Sequence, residues 1–341
     1  MVREEYALLA LSGDLTVDEI KKCIKEKLTL NDFIKSDLPF VPQKKQRKAF
    51  SNFKEVEKAL KSHKYIIYTD DEYPELLKEI DSPPPVLFYK GNIEKTGENK
   101  NLSMVGSRKS SAYGYNIARS FASQIANYRI NIISGLAAGI DGASHRGALE
   151  VNGNTVAVLG CGIDKVYPAS NRDLYKAISE KGCILTEYLP GTPPMKHNFP
   201  RRNRIIAGLS KAVLVVEATK KSGSLITARF ALDNGRDVFA IPGDIRRKNS
   251  TGTNWLIQNG AKLITTVEDI LEEYEEFHSI STEENYSENS LKIINLLENG
   301  PAHFDEIIMA TKLRYDEILN ELTKLQLEGK VYENAGRWSL S

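Results

Sequence analysis

The chain has 341 residues, more than a single core usually serves, with 41% hydrophobic residues, 27% charged residues and a formal charge of +1. This composition excludes collagen-like, low-complexity and wholly disordered chains, and its near-neutral balance means that any contact with a polyanion must come from local clusters of cations. No apolar run approaches the ~18 residues a bilayer crossing needs and no signal-peptide pattern is visible; Cys23, Cys161 and Cys183 form no CxxC pair or His/Cys cluster, so a reducing cytoplasm, no membrane and no metal site are expected.

In chain order, residues 1–62 read as a small helical domain. Tyr6, Leu8, Leu9 and Leu11, then Ile20, Ile24 and Leu28, then Phe50, Phe53, Val56 and Leu60 recur mostly at three- or four-residue spacing. Its last part is rich in cations (Lys44, Lys45, Arg47, Lys48, Lys54, Lys58, Lys61), which suits a solvated helix face or a DNA contact. Tyr65 to Tyr68 and Val86 to Tyr89 read as strands on either side of a break at Ser82-Pro-Pro-Pro85.

From residue 102 strand and helix patterns alternate, as parallel βαβ units require. Strands are expected at 102–105, 130–133, 155–159, 183–185, 212–216, 238–241 and 262–265, with helices such as 113–128 and 225–234 between them. Several strands are short, apolar and β-branched, the mark of burial on both faces, so residues 63–271 are expected to form a doubly wound α/β sheet domain. In such sheets ligands gather at the carboxyl ends of strands. Here those ends run into Gly106-Ser-Arg108, Ser134-Gly-Leu-Ala-Ala-Gly-Ile-Asp141, Gly160-Cys-Gly162 and Pro242-Gly243, loops whose backbone N–H groups can approach an anion.

Glu268 to Glu288 holds nine acids and no Lys or Arg, and residues 272–289 read as an acidic linker. Residues 290–341 follow as a winged-helix module: helices at 291–297, 304–308 and 316–325, then a hairpin from Lys330 to Leu340. Asp316, Glu317, Glu321 and Glu328 against Arg314 and Lys324 give its third helix a surface that repels phosphates, which argues against duplex reading by this module.

No GxxxxGK[ST] loop occurs, and Gly160-Cys-Gly162 lacks the third glycine of a dinucleotide fingerprint, so no cofactor is expected. No catalytic residue stands out either: His145 lacks a nucleophile or metal-ligand companion and reads as structural, and Asp141 reads as a helix N-cap. The segment Lys196 to Lys211 is different, with five cations and no acid. Pro193, Pro194 and Pro200 favour an exposed loop there; its guanidinium groups suit phosphates and Phe199 suits stacking on an unpaired base. Alternatively Arg204 pairs with Glu187 or Glu217 inside the fold and Phe199 simply packs.

Gly106-Ser-Arg108, Ser134 to Asp141, Gly160-Cys-Gly-Ile-Asp164 with Tyr167-Pro168 and Asn171, Phe199-Pro-Arg-Arg-Asn-Arg-Ile-Ile-Ala-Gly-Leu-Ser210, Ser222-Gly-Ser-Leu-Ile-Thr-Ala228 and Gly235-Arg-Asp-Val-Phe-Ala-Ile-Pro-Gly243 together resemble the DprA/Smf proteins. The resemblance implies a cytoplasmic homodimer, joined through its Rossmann-like domain, that binds single-stranded DNA during natural transformation, protects it and loads the RecA recombinase. It also implies that the helical N-terminal domain is sterile-alpha-motif-like, that the doubly wound sheet is an extended Rossmann-like one, and that the protein is not an enzyme. Gly106, Ser107, Arg108, Ser134, Gly135, Gly160, Lys196, Phe199, Arg201, Arg202, Asn203 and Arg204 are the expected DNA contacts. Ala138 stands where many relatives carry a basic residue, which removes a possible phosphate contact. The competing reading is a nucleotide or phosphosugar hydrolase of related fold, but Glu217-Ala-Thr-Lys-Lys-Ser-Gly-Ser224 lacks the PGGxGTxxE pattern of that class. A third is an interaction scaffold whose acidic winged helix docks a protein partner.

Overall fold

The computed structural model describes residues 3–28, 32–33, 38–97, 100–274, 287–297, 300–327, 330–334 and 336–340. It divides into two compact units, Met1–Glu273 and Tyr274–Ser341. Most of the expected acidic linker, residues 275–286, lies outside the described residues, as does Glu328.

The first unit opens with helices α1 (Arg3–Gly13), α2 (Val17–Lys25) and α3 (Gln43–Ser62). Thr16 starts α2 with a capping box, its hydroxyl accepting from the Glu19 N–H while the Glu19 carboxylate accepts from the Thr16 N–H. The apolar faces of these helices, with Tyr6, Leu9, Ile20, Cys23 and Ala49, close over Ile67 of strand β1 (Tyr65–Ile67) and Val86 of β2 (Val86–Gly91). The N-terminal helices therefore share one core with the sheet edge and fall within the same compact unit.

The remaining strands are β3 (Asn101–Val105), β4 (Asn131–Ser134), β5 (Thr155–Val158), β6 (Cys183–Thr186), β7 (Ala212–Val215), β8 (Asp237–Ala240) and β9 (Lys262–Leu263). One nine-stranded sheet results, in the order β1-β2-β6-β5-β4-β3-β7-β8-β9. From β6 to β9 every pairing is parallel, whereas β2 runs antiparallel to both β6 and β1. The helices of eight or more residues between strands are α4 (Ala112–Asn127), α5 (Ile140–Glu150), α6 (Arg172–Lys181), α7 (Asn198–Gly208), α8 (Gly223–Asp233) and α9 (Thr251–Gln258). Every residue of β3, β4, β5, β6 and β7 is buried, as a sheet covered on both faces demands. On one face Val105, Ile133, Val156, Val213 and Val215 pack with Ile205, Ile206 and Ala207 of α7 and Ala228 and Ala231 of α8. Each fully buried Val or Ile contributes about 1.5–3 kcal/mol, so this layer holds the loops at its rim firmly.

The second unit has helices α10 (Glu288–Leu297), α11 (Phe304–Thr311) and α12 (Tyr315–Leu327) and strands β10 (Ala302–His303), β11 (Val331–Asn334) and β12 (Arg337–Leu340), paired β10-β12-β11. Ile293, Ile307, Ile318, Leu322, Leu325 and Trp338 form its core, the expected winged-helix order. Arg314 at the start of α12 is tied to Asp316 at 2.7 Å, which neutralises a cation a duplex would need.

Candidate nucleic-acid interface

The chain runs from β3 outward through β4, β5 and β6, then returns to place β7 on the other side of β3. A crevice must open where the order reverses, beyond the carboxyl ends of β3 and β7. A cleft of about 830 Å³ lies there, lined among others by Gly106, Ser107, Arg108, Lys109, Asp141, Tyr167, Lys196, Phe199, Arg202, Asn203, Ser222, Gly223, Lys248 and Asn249.

Its floor is a hydrogen-bonded knot around Glu217, just after β7. The Ser107 N–H donates to the Glu217 carbonyl at 2.7 Å, and the Glu217 carboxylate accepts from the Ser111 N–H (2.8 Å), the Ser111 hydroxyl (2.5 Å) and the Asn249 amide (3.3 Å). Gly106 has no room for a side chain, since a Cβ would come within 2.6 Å of Ile140 Cγ1. Arg108 and Lys109 are therefore carried outward on a turn pinned from beneath.

The loop after β4 is tied down in the same way. Ser134, an expected DNA contact, is fully buried and donates to the Met104 carbonyl at 2.6 Å. Leu136 takes a left-handed φ of 57°, rare for a bulky residue, and the buried Asn171 amide donates to the carbonyls of Leu136 (3.0 Å) and Ala137 (3.1 Å). Asp141 is not the N-cap of α5: Gly139, with φ 79°, holds that place. The Asp141 carboxyl is instead buried, its pKa pushed up by loss of water, while Arg202 and the backbone of Ala137 and Gly135 favour its charged form.

The segment expected as an exposed loop is helix α7. Pro200 is tolerated because it occupies the third helical position, where the missing N–H would have had no intrahelical acceptor. This periodicity sorts the cations. Arg202 is 2% exposed; it donates to the carbonyls of Gly135 (3.0 Å) and Val158, and burial lowers its pKa to about 10. Arg204 is buried in a two-pronged pair with Glu187 and also donates to the Ser82 carbonyl at 3.0 Å. The exposure expected for these two guanidinium groups is thus corrected, and of the two internal partners weighed for Arg204, Glu187 is the one it pairs with. Arg201 remains exposed, 3.4 Å from Glu187 and 3.8 Å from Asp14. Asn203 donates to the Gly223 carbonyl at 3.2 Å.

Phe199 sits half-buried at the first turn of α7. The Arg108 guanidinium lies over its ring at 4.8 Å, the Tyr167 ring is 5.3 Å away, and Gly160 lies against its edge, where a Cβ would come within 2.9 Å. Gly160 and Gly135 thus serve close packing: an added Cβ at Gly135 would meet Arg202 Nη2 at 2.5 Å and Asp141 Oδ2 at 2.7 Å.

Arg108, Lys109, Lys196 and Lys248 line the cleft, and none is in an ion pair among the described residues. The start of α8 lines the same cleft, capped by Ser222, whose hydroxyl accepts from the Ser224 N–H at 3.4 Å; the start of a helix adds positive potential. Sequence reasoning missed Lys109, Lys248 and Tyr167 as parts of this wall. The cations at Arg246, Arg247 and Lys248 were legible as a cluster, but their approach to Arg108 depends on the Asn249 amide donating to the Lys109 carbonyl at 2.9 Å.

His145 is fully buried, as a structural role implies. The Thr155 hydroxyl donates to the Ile132 carbonyl at 2.7 Å, so it accepts from His145 Nδ1 at 2.6 Å, and burial lowers the imidazole pKa to about 3. Among the described residues no His/Cys/Asp/Glu cluster could hold a metal ion, and no helix is long and apolar enough to cross a membrane.

Residues 64–275 match the family model of DNA recombination-mediator protein A, and residues 281–337 match that of the DprA winged helix domain. DNA processing protein DprA of Streptococcus pneumoniae is 48% identical over 206 residues, 60% of this chain and 72% of the relative. Protein Smf of Escherichia coli is 46% identical over 211 residues, 61% of this chain and 56% of the relative. Protein Smf of Synechocystis is 45% identical over 214 residues, so the match spans about half of that relative, 54%. The crystal structure of the S. pneumoniae protein superposes with a TM-score of 0.71 at 37% identity, covering 80% of this chain and 98% of that one. A structure of DNA processing protein A from Helicobacter pylori, described for its single-stranded DNA binding mode, gives a TM-score of 0.57 at 27% identity, covering 63% and 97%. By sequence and by fold, the chain belongs to the DprA/Smf family of DNA recombination-mediator proteins.

Proposed function

We propose that the protein is a single-stranded DNA-binding recombination mediator that protects incoming DNA in natural transformation and loads the RecA recombinase onto it. The observation that carries the DNA part is the meeting, at the β3/β7 crevice, of four cations that have no ion-pair partner among the described residues and the Phe199–Tyr167 aromatic pair. Phosphates are held by Arg108, Lys109, Lys196 and Lys248, and an unpaired base lies against Phe199 and Tyr167. A duplex keeps its base faces stacked inside and offers this aromatic shelf nothing, so the cleft selects single strands. The buried Arg202 and Arg204 act through the protein, holding the loop and helix that present Phe199 and Lys196. Family membership and the binding mode described for the H. pylori relative support the same reading.

The protein works as a cytoplasmic homodimer joined through the Rossmann-like unit, and the acidic winged helix docks a protein partner rather than a duplex. Binding rather than hydrolysis is favoured because Asp141, the one carboxylate in the cleft wall among the described residues, is buried facing Arg202. Fluorescence-anisotropy titration with labelled oligo-dT and a matched duplex, at two salt concentrations and without nucleotide, tests the reading. Tight, salt-sensitive binding of the single strand with much weaker duplex binding is expected; no single-strand binding overturns it. Loss of RecA loading with retained DNA binding on deletion of residues 287–341 is the outcome expected of a partner-docking module.

A further inference from the structure

Helix α3 carries seven cations and two acids, Glu55 and Glu57, in a chain whose net charge is +1. Ala49, Val56 and Ala59 turn inward and are buried, which leaves Lys44, Arg47, Lys48, Lys54, Lys58 and Lys61 exposed on the outer side. Separations of three, four and seven residues align Lys44, Arg47, Lys54, Lys58 and Lys61 along one stripe, about 26 Å long at the helical rise. Lys61 pairs with Glu57 and Lys48 with Asp14, but Lys44, Arg47, Lys54 and Lys58 have no ion-pair partner among the described residues.

The stripe is not an arrangement that helix stability favours. Lys44, Lys45, Arg47 and Lys48 crowd the positive end of the helix dipole, the first turn contains no acid, and Pro42 provides no side-chain cap. Lys45 is offset by Glu19 and Lys48 by Asp14, but Lys44 and Arg47 have no ion-pair partner among the described residues, and a local rule broken at these two points to a use for the charge. Helix α3 also adjoins the cleft helix: Asp14 lies 3.2 Å from Lys48, beside the stripe, and 3.8 Å from Arg201, which directly follows Phe199 and Pro200 of the cleft wall.

We infer that the exposed face of α3 is a second backbone-binding track, which takes the phosphates of the same single strand as it leaves the cleft past Arg201. The inference rests on the reading of the cleft as a single-strand site. The occupant is a single strand because the track starts at the cleft helix and presents a row of exposed cations, which hold a backbone and leave the bases free. A strand gripped by its phosphates on α3 keeps its bases available for pairing, which a recombination mediator requires.

The test compares an oligo-dT of about six nucleotides, enough for the cleft, with one of about thirty, on the full chain and on the triple variant Arg47→Gln, Lys54→Gln, Lys58→Gln. Glutamine keeps helix propensity, and circular dichroism checks that the variant folds. The expected result is an unchanged affinity for the short oligonucleotide, at least tenfold weaker binding of the long one, and a salt slope for the long one lower by about two. Equal long-oligonucleotide affinity and slope in the two proteins overturn the track. An effect on duplex binding alone overturns it as well, by making α3 a duplex site. Failure of the unaltered protein to bind the short oligonucleotide would instead count against the cleft, while a variant effect on the long one would still support α3.

Discussion

Arg204 grips Glu187 with both prongs of its guanidinium, Nη1 to Oε1 at 2.7 Å and Nη2 to Oε2 at 2.8 Å, and both side chains are at most 10% exposed. A pair this dry is far more costly to break than to build, because without Arg204 the buried Glu187 keeps only the exposed Arg201, 3.4 Å away. Arg204→Ala is therefore expected to lose roughly 3–5 kcal/mol of folding stability in urea denaturation. A midpoint equal to that of the unaltered protein would show that Glu187 does not depend on Arg204.

Arg108 and Lys196 present the opposite case, since both are exposed beside the cleft and neither is in an ion pair among the described residues. Arg108→Ala and Lys196→Ala should leave the urea midpoint nearly unchanged, weaken oligo-dT binding, and lower the salt slope by about one each. An unchanged slope removes the substituted residue from the phosphate contacts.

Gly160 fixes where Phe199 stands. A methyl group there would meet Phe199 Cδ1 at 2.9 Å, so Gly160→Ala must displace the ring from its place beside Tyr167 and Arg108. Weaker single-strand binding by about 1–3 kcal/mol, the usual worth of one base stacked on an aromatic ring, is expected. Retained binding would mean that the ring moves freely or does not meet a base.

The contrast between Arg108 and Arg204 shows what was legible in the sequence. Strand patterns located the parallel sheet, and the glycine-rich turns after β3, β4 and β5 marked the edge where the cleft lies. The basic run from Lys196 to Lys211 was equally visible, but its sorting was not. Proline content suggested a loop, whereas the chain forms α7 and its 3.6-residue turn sends Arg202 and Arg204 inward and Arg201 outward. Composition cannot separate a cation that meets a ligand from one that meets a buried carbonyl. That distinction needs the partner, and Glu187, Gly135 and Val158 reach α7 only through the tertiary fold.

Glu217 acts on the cleft through its neighbours. Its carboxylate joins the Ser111 turn to Asn249, and so holds Arg108, Lys109 and Lys248 near one another. Glu217→Ala should cost about 1–3 kcal/mol of stability, for the stranded donors, and weaken oligo-dT binding. Glu217→Gln is expected to restore much of both, because the amide oxygen can face the Ser111 N–H and Asn249 while its NH₂ group faces the Ser111 hydroxyl. A Gln variant as impaired as the Ala variant would show that the negative charge itself is needed.

His145 gives the fold a pH dependence of definite sign. Burial depresses its folded-state pKa to about 3, below the ordinary value of 6.5, so the unfolded chain binds the proton more readily. Its contribution is complete above about pH 6.5 and declines as pH falls from there toward 3, by up to about 1.4 kcal/mol per unit once the unfolded imidazole is mostly protonated. Arg146 and Arg202 reinforce the effect, since each opposes a positive charge on the ring. Urea denaturation of the protein and of His145→Gln between pH 7 and pH 4.5 measures this directly. The variant is expected to be less stable at pH 7, because it disturbs the bond to Thr155, but to lose stability less steeply on acidification. Parallel pH profiles would show that His145 takes up its proton in the folded state as readily as in the unfolded chain.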